Sequence, residues 1–260
     1  MPKYGPSLKQ LMRRSRFRRF SIKTSVQIGI QLIDRLEALH RIGYIHADLK
    51  PDNILLLSGN RKKKDSSKLL LIDYGLCRNY RDQFGEHLPF RDNVSFAGNL
   101  LFASKNAFLF YEQSRRDDMI SLLYLLAFFV TGDLAWVETL DSDDADVFNN
   151  VGDVKNKMTP EEICAETAKG LLPFAKEVYK YDFQEQPNYS KLKHMLLKFL
   201  LAFKVIPTIK FDWSKFQINK QAEEPEQPGA ENVDQCEEHE DFRRQLVSDL
   251  TPRKLGVVKK

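Results

Sequence analysis

Two stretches decide the reading: IHADLKPDNILL, Ile45–Leu56, and LLLIDYG, Leu69–Gly75. The first sets a His, two Asp, a Lys and an Asn among aliphatic residues; the second is a strand-like apolar run that ends on Asp73. Moving a phosphoryl group needs a carboxylate to orient the attacking hydroxyl, a cation to offset charge on the moving group, and oxygen ligands for magnesium. Asp48, Lys50 and Asn53 offer these in that order, and Asp73 supplies a second carboxylate some twenty residues later. Taken singly, Asp and Asn near strand ends are turn formers, and a His among aliphatic residues is a packed core residue. The two segments in this order make a phosphoryl-transfer site about ten times the better reading.

The aliphatic runs from Asn53 to Leu57 and from Lys68 to Ile72 are separated by SGNRKKKDSSK, a Gly- and charge-rich connector that predicts a hairpin. Its basic run reads as a solvated loop tip ahead of a nuclear-import or anion-binding patch. Upstream, Val26, Ile28, Leu32, Ile33, Leu36 and Leu39 recur at helical spacing, which predicts a helix from Phe20 to Ile42 stopped by Gly43. The basic segment Lys9 to Lys23 reads as a solvated helix and loop face, with a docking surface as the alternative. Downstream, residues Asn79 to Ser114 are loop-like, and helices are expected from Asp117, from Thr159 to Tyr179 and from Tyr189 to Phe203. Pro160 followed by Glu161 and Glu162 marks one start. The run MISLLYLLAFFV, Met119–Val130, is about half the ~20 residues that span a bilayer, and an all-round apolar helix this short predicts a buried central helix.

At 260 residues with 42% hydrophobic content the chain can bury a substantial core. A net charge of +4 does not call for nucleic acid as a partner. Cys77, Cys164 and Cys236 form no C-x-x-C pair, so a reducing, intracellular setting is expected, cytoplasmic and/or nuclear, with no membrane partner. Residues 217–260 turn acidic, polar and Pro/Gly-containing, and are expected to be a mostly disordered tail with one short helix at Glu238 to Asp249.

GPSLKQL near the start, HADLKPDN, the D-[FY]-G match at Asp73, YEQSRRDDMISLLYLL, GDLAW and QPNYSKL with FDW together resemble the casein kinase I family of protein kinases, from Met1 to about Phe216. The resemblance implies a mainly α (α+β) fold: residues 1–216 as a protein-kinase C-terminal lobe that begins at the hinge, with a small β-hairpin sheet at the catalytic cleft. It implies an ATP-dependent serine/threonine protein kinase with ATP and Mg2+ as cofactors and a protein substrate. Asp48 would be the catalytic base, Lys50 the phosphate-facing lysine, and Asn53 and Asp73 the magnesium ligands. Tyr4 would lie in the hinge, Leu55 and Ile72 would line the adenine pocket from below, and both are expected in the core whatever the ligand. His46 and Tyr74 would form part of the hydrophobic spine, and Asp118 would cap the catalytic-loop backbone. Arg78, with Arg91 nearby, would remain of the basic cluster that receives phosphorylated substrates.

The sequence also departs from this family. It holds no G-x-G-x-x-G and none of the upper-lobe groups that cover ATP, and Met1 aligns with the start of the hinge. Two expectations stay open: an upper lobe lying outside this sequence, or a lower-lobe pseudokinase that binds a protein partner on the face left bare. Ala47 replaces the Arg usual before the base, and Val94 and Leu101 replace basic residues; the general kinase A-P-E is replaced by SKN, Ser104–Asn106, as the S-I-N of the casein kinase I family implies. Asn99 occupies the place of a Thr that links base and lysine, and its amide is expected to serve less well.

Overall fold

The computed structural model describes residues 4–15, 17–58, 67–141, 146–205 and 210–215. The expected disordered tail and its short helix, Cys236, and most of the basic connector lie outside the described residues.

The organising element is α4, Arg115–Thr131. Its residues from Met119 to Ala127 are buried on every side, so it has no solvent face. The predicted central helix is therefore present, starting two residues before the expected Asp117 and four before the apolar run. In its first turn the Asp117 carboxylate accepts the Ser114 N–H at 2.8 Å, and Gly132 at φ 85° ends the helix with an N–H bond to the Phe128 carbonyl. Each Leu or Phe buried here contributes about 1.5–3 kcal/mol, which is why the surrounding helices organise around this one.

Helix α2, Ile22–Arg41, crosses α4 and packs along α8, Tyr189–Ala202. Ser21 caps α2, and Asp212 accepts from both the Ser21 backbone N–H at 2.7 Å and its hydroxyl at 2.8 Å, which ties the far end of the described chain to the start of this helix. Gly43, at φ 91°, adopts the left-handed conformation that stops the helix as expected. The buried face differs from the expected one at its end: His40 is buried and Leu39 only half-buried. A buried His needs polar partners, and it has them in the site below. A short α1, Leu8–Arg13, precedes α2 and is closed by a reciprocal Ser7/Gln10 cap.

The strands form two separate two-stranded antiparallel sheets. β1 (Tyr44–Ile45) pairs with β4 (Arg78–Asn79), and β2 (Ile54–Leu56) pairs with β3 (Leu69–Leu71) in the register Ile54 to Leu71 and Leu56 to Leu69. The predicted hairpin is the second pair. Downstream lie α3, Lys105–Phe108, and α5, Val147–Lys157, neither of which the hydrophobic pattern predicted. The helix expected from Thr159 to Tyr179 is instead broken into α6, Pro160–Ile163, a 3-10 turn at Glu166–Leu171, and α7, Leu172–Val178. The cause is local. Pro173 can only sit in the first turn of a helix, and a Cβ on Gly170 would lie 1.9 Å from the Phe199 ring, so the 3-10 turn packs against α8 too closely for any side chain there. No helix among the described residues is long and apolar enough to cross a membrane.

Close approach of α2 to its neighbours depends on Gly29, where a Cβ would meet Leu196 at 2.9 Å and Leu126 at 3.0 Å. Gly29→Val is expected to lower the stability measured by urea unfolding by about 1–3 kcal/mol, the usual cost of overpacking a filled core.

Candidate active site

The loop after β1 carries the residues singled out in the sequence, and its backbone is fixed from below by one carboxylate. Asp118, on the first turns of α4, accepts the His46 N–H at 2.7 Å and the Ala47 N–H at 3.0 Å. The same carboxylate meets His40 Nε2 at 2.9 Å, and His40 Nδ1 meets the Tyr189 hydroxyl at 2.7 Å. Burial pushes the Asp118 carboxyl up, but the hydrogen bond and charge of His40, then His46 and its N–H, outweigh burial and hold it below the ordinary carboxylate value. Its neighbour Asp117 goes the other way, raised by burial that Arg116, Ser104, Asn106 and Ser114 only partly offset. With Asp118 in place, Ala47 takes a positive φ of 61°, a left-handed turn that leads directly into Asp48.

Asp48 is 5% exposed, and both its carboxylate oxygens are held. Oδ1 accepts from Asn99 Nδ2 at 2.9 Å; Oδ2 accepts from Lys50 Nζ at 2.8 Å and Asn53 Nδ2 at 3.2 Å. Asn53 Nδ2 also donates to the Asp48 carbonyl at 2.9 Å, which leaves the amide oxygen as the atom turned away from Asp48. The backbone then joins the two segments: the Ile72 N–H donates to the Asn53 carbonyl at 2.9 Å, and His46 Nε2 meets the Ile72 carbonyl at 3.2 Å. Because His46 Nδ1 accepts the Asp48 N–H at 3.3 Å, the proton of a neutral His46 belongs on Nε2, donated to Ile72. Asp73 follows directly, exposed, at a φ of 64°. A positive φ in a non-Gly residue costs of order 1–3 kcal/mol, and here it aims the carboxylate out of the strand.

A divalent cation of the magnesium type binds through one or two protein oxygens plus phosphates and water. The Asn53 amide oxygen, turned from Asp48, and the exposed Asp73 carboxylate fit that donor set, and among the described residues no cluster of three or more His, Cys, Asp or Glu offers a different cage.

The remaining candidates are placed as follows. Gly5 N–H bonds the Leu56 carbonyl at 2.9 Å and Leu56 N–H the Pro6 carbonyl at 3.1 Å, so the segment holding Tyr4 runs beside β2; Tyr4 itself is 46% exposed. Leu55 and Ile72 are half-buried rather than core residues. Alternation explains this: Ile54, Leu56, Leu69 and Leu71 point inward, so their neighbours must face the open side. The Tyr74 ring lies 5.5 Å from His46, and its hydroxyl donates to the Leu71 carbonyl at 2.9 Å. Arg91 donates Nε to Glu112 at 2.9 Å and Arg78 Nη1 lies 3.8 Å from the same carboxylate. The Cys77 thiol is pushed up to about 11 by burial, then by Asp118 and Asp73, which makes it a poor nucleophile.

Asn99 donates to Asp48 and to the Leu49 carbonyl at 3.1 Å, while Lys50 reaches Asp48 by itself. Its amide thus secures the carboxylate and the chain beside it instead of bridging to the lysine. Reasoning from sequence missed His40, Tyr189, Glu112 and Lys155. Of these only His40 left a trace, as a polar residue at a position where the helical stripe demands burial. A family model described as Protein kinase domain matches residues 3–197.

Asp118→Leu strands two buried backbone N–H groups and His40, each unsatisfied donor costing about 1–3 kcal/mol. The variant is expected to lose roughly 3–5 kcal/mol in denaturant unfolding, with the His46 and Ala47 amides losing hydrogen-exchange protection first.

Proposed function

From a chain that belongs to the protein kinase domain family, we propose a serine/threonine protein kinase of casein kinase I type that transfers the γ-phosphoryl group of ATP to protein hydroxyls. The observation that carries this reading is the Asp48 carboxylate, buried and held by Lys50, Asn53 and Asn99, with the Asp73 segment joined to the same loop by the Ile72–Asn53 backbone bond. Asp48 orients the substrate hydroxyl and receives its proton as the oxygen bonds to the γ-phosphorus. The bond from that phosphorus to the β–γ bridging oxygen breaks, and ADP departs. Lys50 shares charge with the moving phosphoryl group. Asn53 and Asp73 would hold magnesium, which would supply positive charge to offset that of the phosphates. Leu55 and Ile72, half-buried and open, form the apolar floor for adenine, and the backbone beside Tyr4 is its edge.

Casein kinase I type is supported by GPSLKQL, YEQSRRDDMISLLYLL, SKN and FDW. The second reading is a pseudokinase that binds a protein partner. It is favoured by the half-buried apolar residues Leu55 and Ile72 on the open side of the hairpin.

Immunopurified native protein separates the two. Transfer to Ser/Thr in a casein-like protein is expected, reduced about 10²- to 10⁴-fold in Asp48→Asn by loss of the base and abolished in Asp73→Ala. No transfer from any form, with retained capture of a protein partner, establishes the pseudokinase instead.

Both arginines of the expected phosphate-receiving cluster are committed to Glu112. A phosphoserine-primed peptide and its unphosphorylated twin are therefore expected to give kcat/KM values within about fivefold of one another, since a rim charge pair contributes ~1 kcal/mol or less. A large primed preference refutes this.

A further inference from the structure

Helix α5 places Lys155 where a charged side chain has no access to water: it is fully buried. Its Nζ donates to the carbonyls of Leu100 at 2.7 Å, Leu101 at 2.9 Å and Ala103 at 2.9 Å. Three rings surround it, Phe108 at 4.6 Å, Trp136 at 4.8 Å and Tyr124 at 5.1 Å from the nitrogen. Burial pushes its pKa well below the ordinary lysine value. Three acceptors for three N–H groups, and three ring faces, work in the opposite direction, because each favours the ammonium.

What the ammonium grips is one loop. Leu100, Leu101 and Ala103 follow Asn99, whose side chain donates to Asp48 Oδ1 and the Leu49 carbonyl and accepts the Phe102 N–H at 2.8 Å. The Ala103 N–H returns to the Asn99 carbonyl at 3.0 Å, so Asn99 and the gripped carbonyls form one hydrogen-bonded turn. Beyond the turn, the Ser104 hydroxyl donates to Asp117 at 2.6 Å, and the Trp136 indole donates to the Leu101 carbonyl at 2.9 Å. Three carbonyls converging on one point is a costly arrangement for a backbone unless a cation sits there. An apolar residue of the same size would fill the volume at no desolvation cost but would let the carbonyls diverge.

We propose that Lys155 is a positioning residue for the phosphoacceptor side of the site: by drawing three carbonyls of the loop onto one nitrogen, it sets Asn99 against the Asp48 carboxylate. The proposal rests on the reading of Asp48 as catalytic base. Lys155 touches no reacting atom, and its effect passes through Asn99.

Lys155→Met removes the donors and keeps the length. In amide NMR of the 260-residue chain, the Asn99 side-chain and Phe102 backbone protons are expected to exchange with solvent at least about tenfold faster, while amides of α2 keep their protection. Unchanged exchange at Asn99 overturns the proposal, whether or not the protein is a kinase. With native protein, Lys155→Met is expected to lower kcat and leave the KM for ATP unchanged. In the Asn99→Ala background it should lower kcat no further, the non-additivity of two residues acting in series. Independent, multiplying losses overturn the proposal. If the wild-type protein transfers no phosphate, the kinase reading fails and the exchange measurement alone judges Lys155. Should Lys155→Met not fold, Lys155→Gln, which retains one donor group, is read by the same measurements with the same overturning results.

Discussion

Three helices converge on the Asp118 carboxylate, and the geometry of the loop above it follows from that meeting. The carboxylate belongs to the start of α4; His40, from the end of α2, reaches it directly; Tyr189, from the start of α8, reaches it through His40. Its two oxygens then take the N–H groups of His46 and Ala47. A buried carboxylate without such partners would cost several kcal/mol, so the helices cannot shift relative to one another without exposing that cost. The loop carrying Asp48 inherits the rigidity of the helical core although it has almost no regular structure of its own.

The contrast between Asp117 and Asp118 shows how finely that environment is divided. Both are buried on the first turn of one helix, yet burial wins at Asp117 and the surrounding donors win at Asp118. The more weakly acidic one serves the loop of Asn99 to Ser104, and the more strongly acidic one serves the loop of Asp48. Each side of the cleft therefore hangs from its own carboxylate, and the two are adjacent in sequence. At the top of the structure Asp48 has no free oxygen: an incoming hydroxyl has to share an acceptor with Lys50, Asn53 or Asn99. Those three side chains keep the carboxylate ordered before substrate arrives.

The sequence made the central helix, the hairpin and the order of Asp48, Lys50, Asn53 and Asp73 legible because each rests on a local signal: an unbroken apolar run, turn-forming composition, a motif. Helix α5 and the broken stretch from Pro160 to Val178 were not legible. Their limits are set by contacts from distant segments, such as Phe199 against Gly170 and Phe108 against Gly152. Leu55 and Ile72 looked like core residues because an aliphatic run does not reveal which of its alternate faces is covered. Lys155 is the sharpest case, since a lysine near the end of an exposed-looking helix gives no hint that its partners are carbonyls some fifty residues earlier.

The ladder between β2 and β3 has one more consequence. Its register, Ile54 against Leu71 and Leu56 against Leu69, together with the bond from Ile72 to Asn53, fixes Asp73 relative to Asp48 through the paired strands rather than through the length of the stretch between them. The entropy of closing a loop rises only slowly with its length, so that intervening stretch is a site where residues can be inserted or exchanged during evolution, or a reporter grafted, while the two carboxylates stay at the same separation.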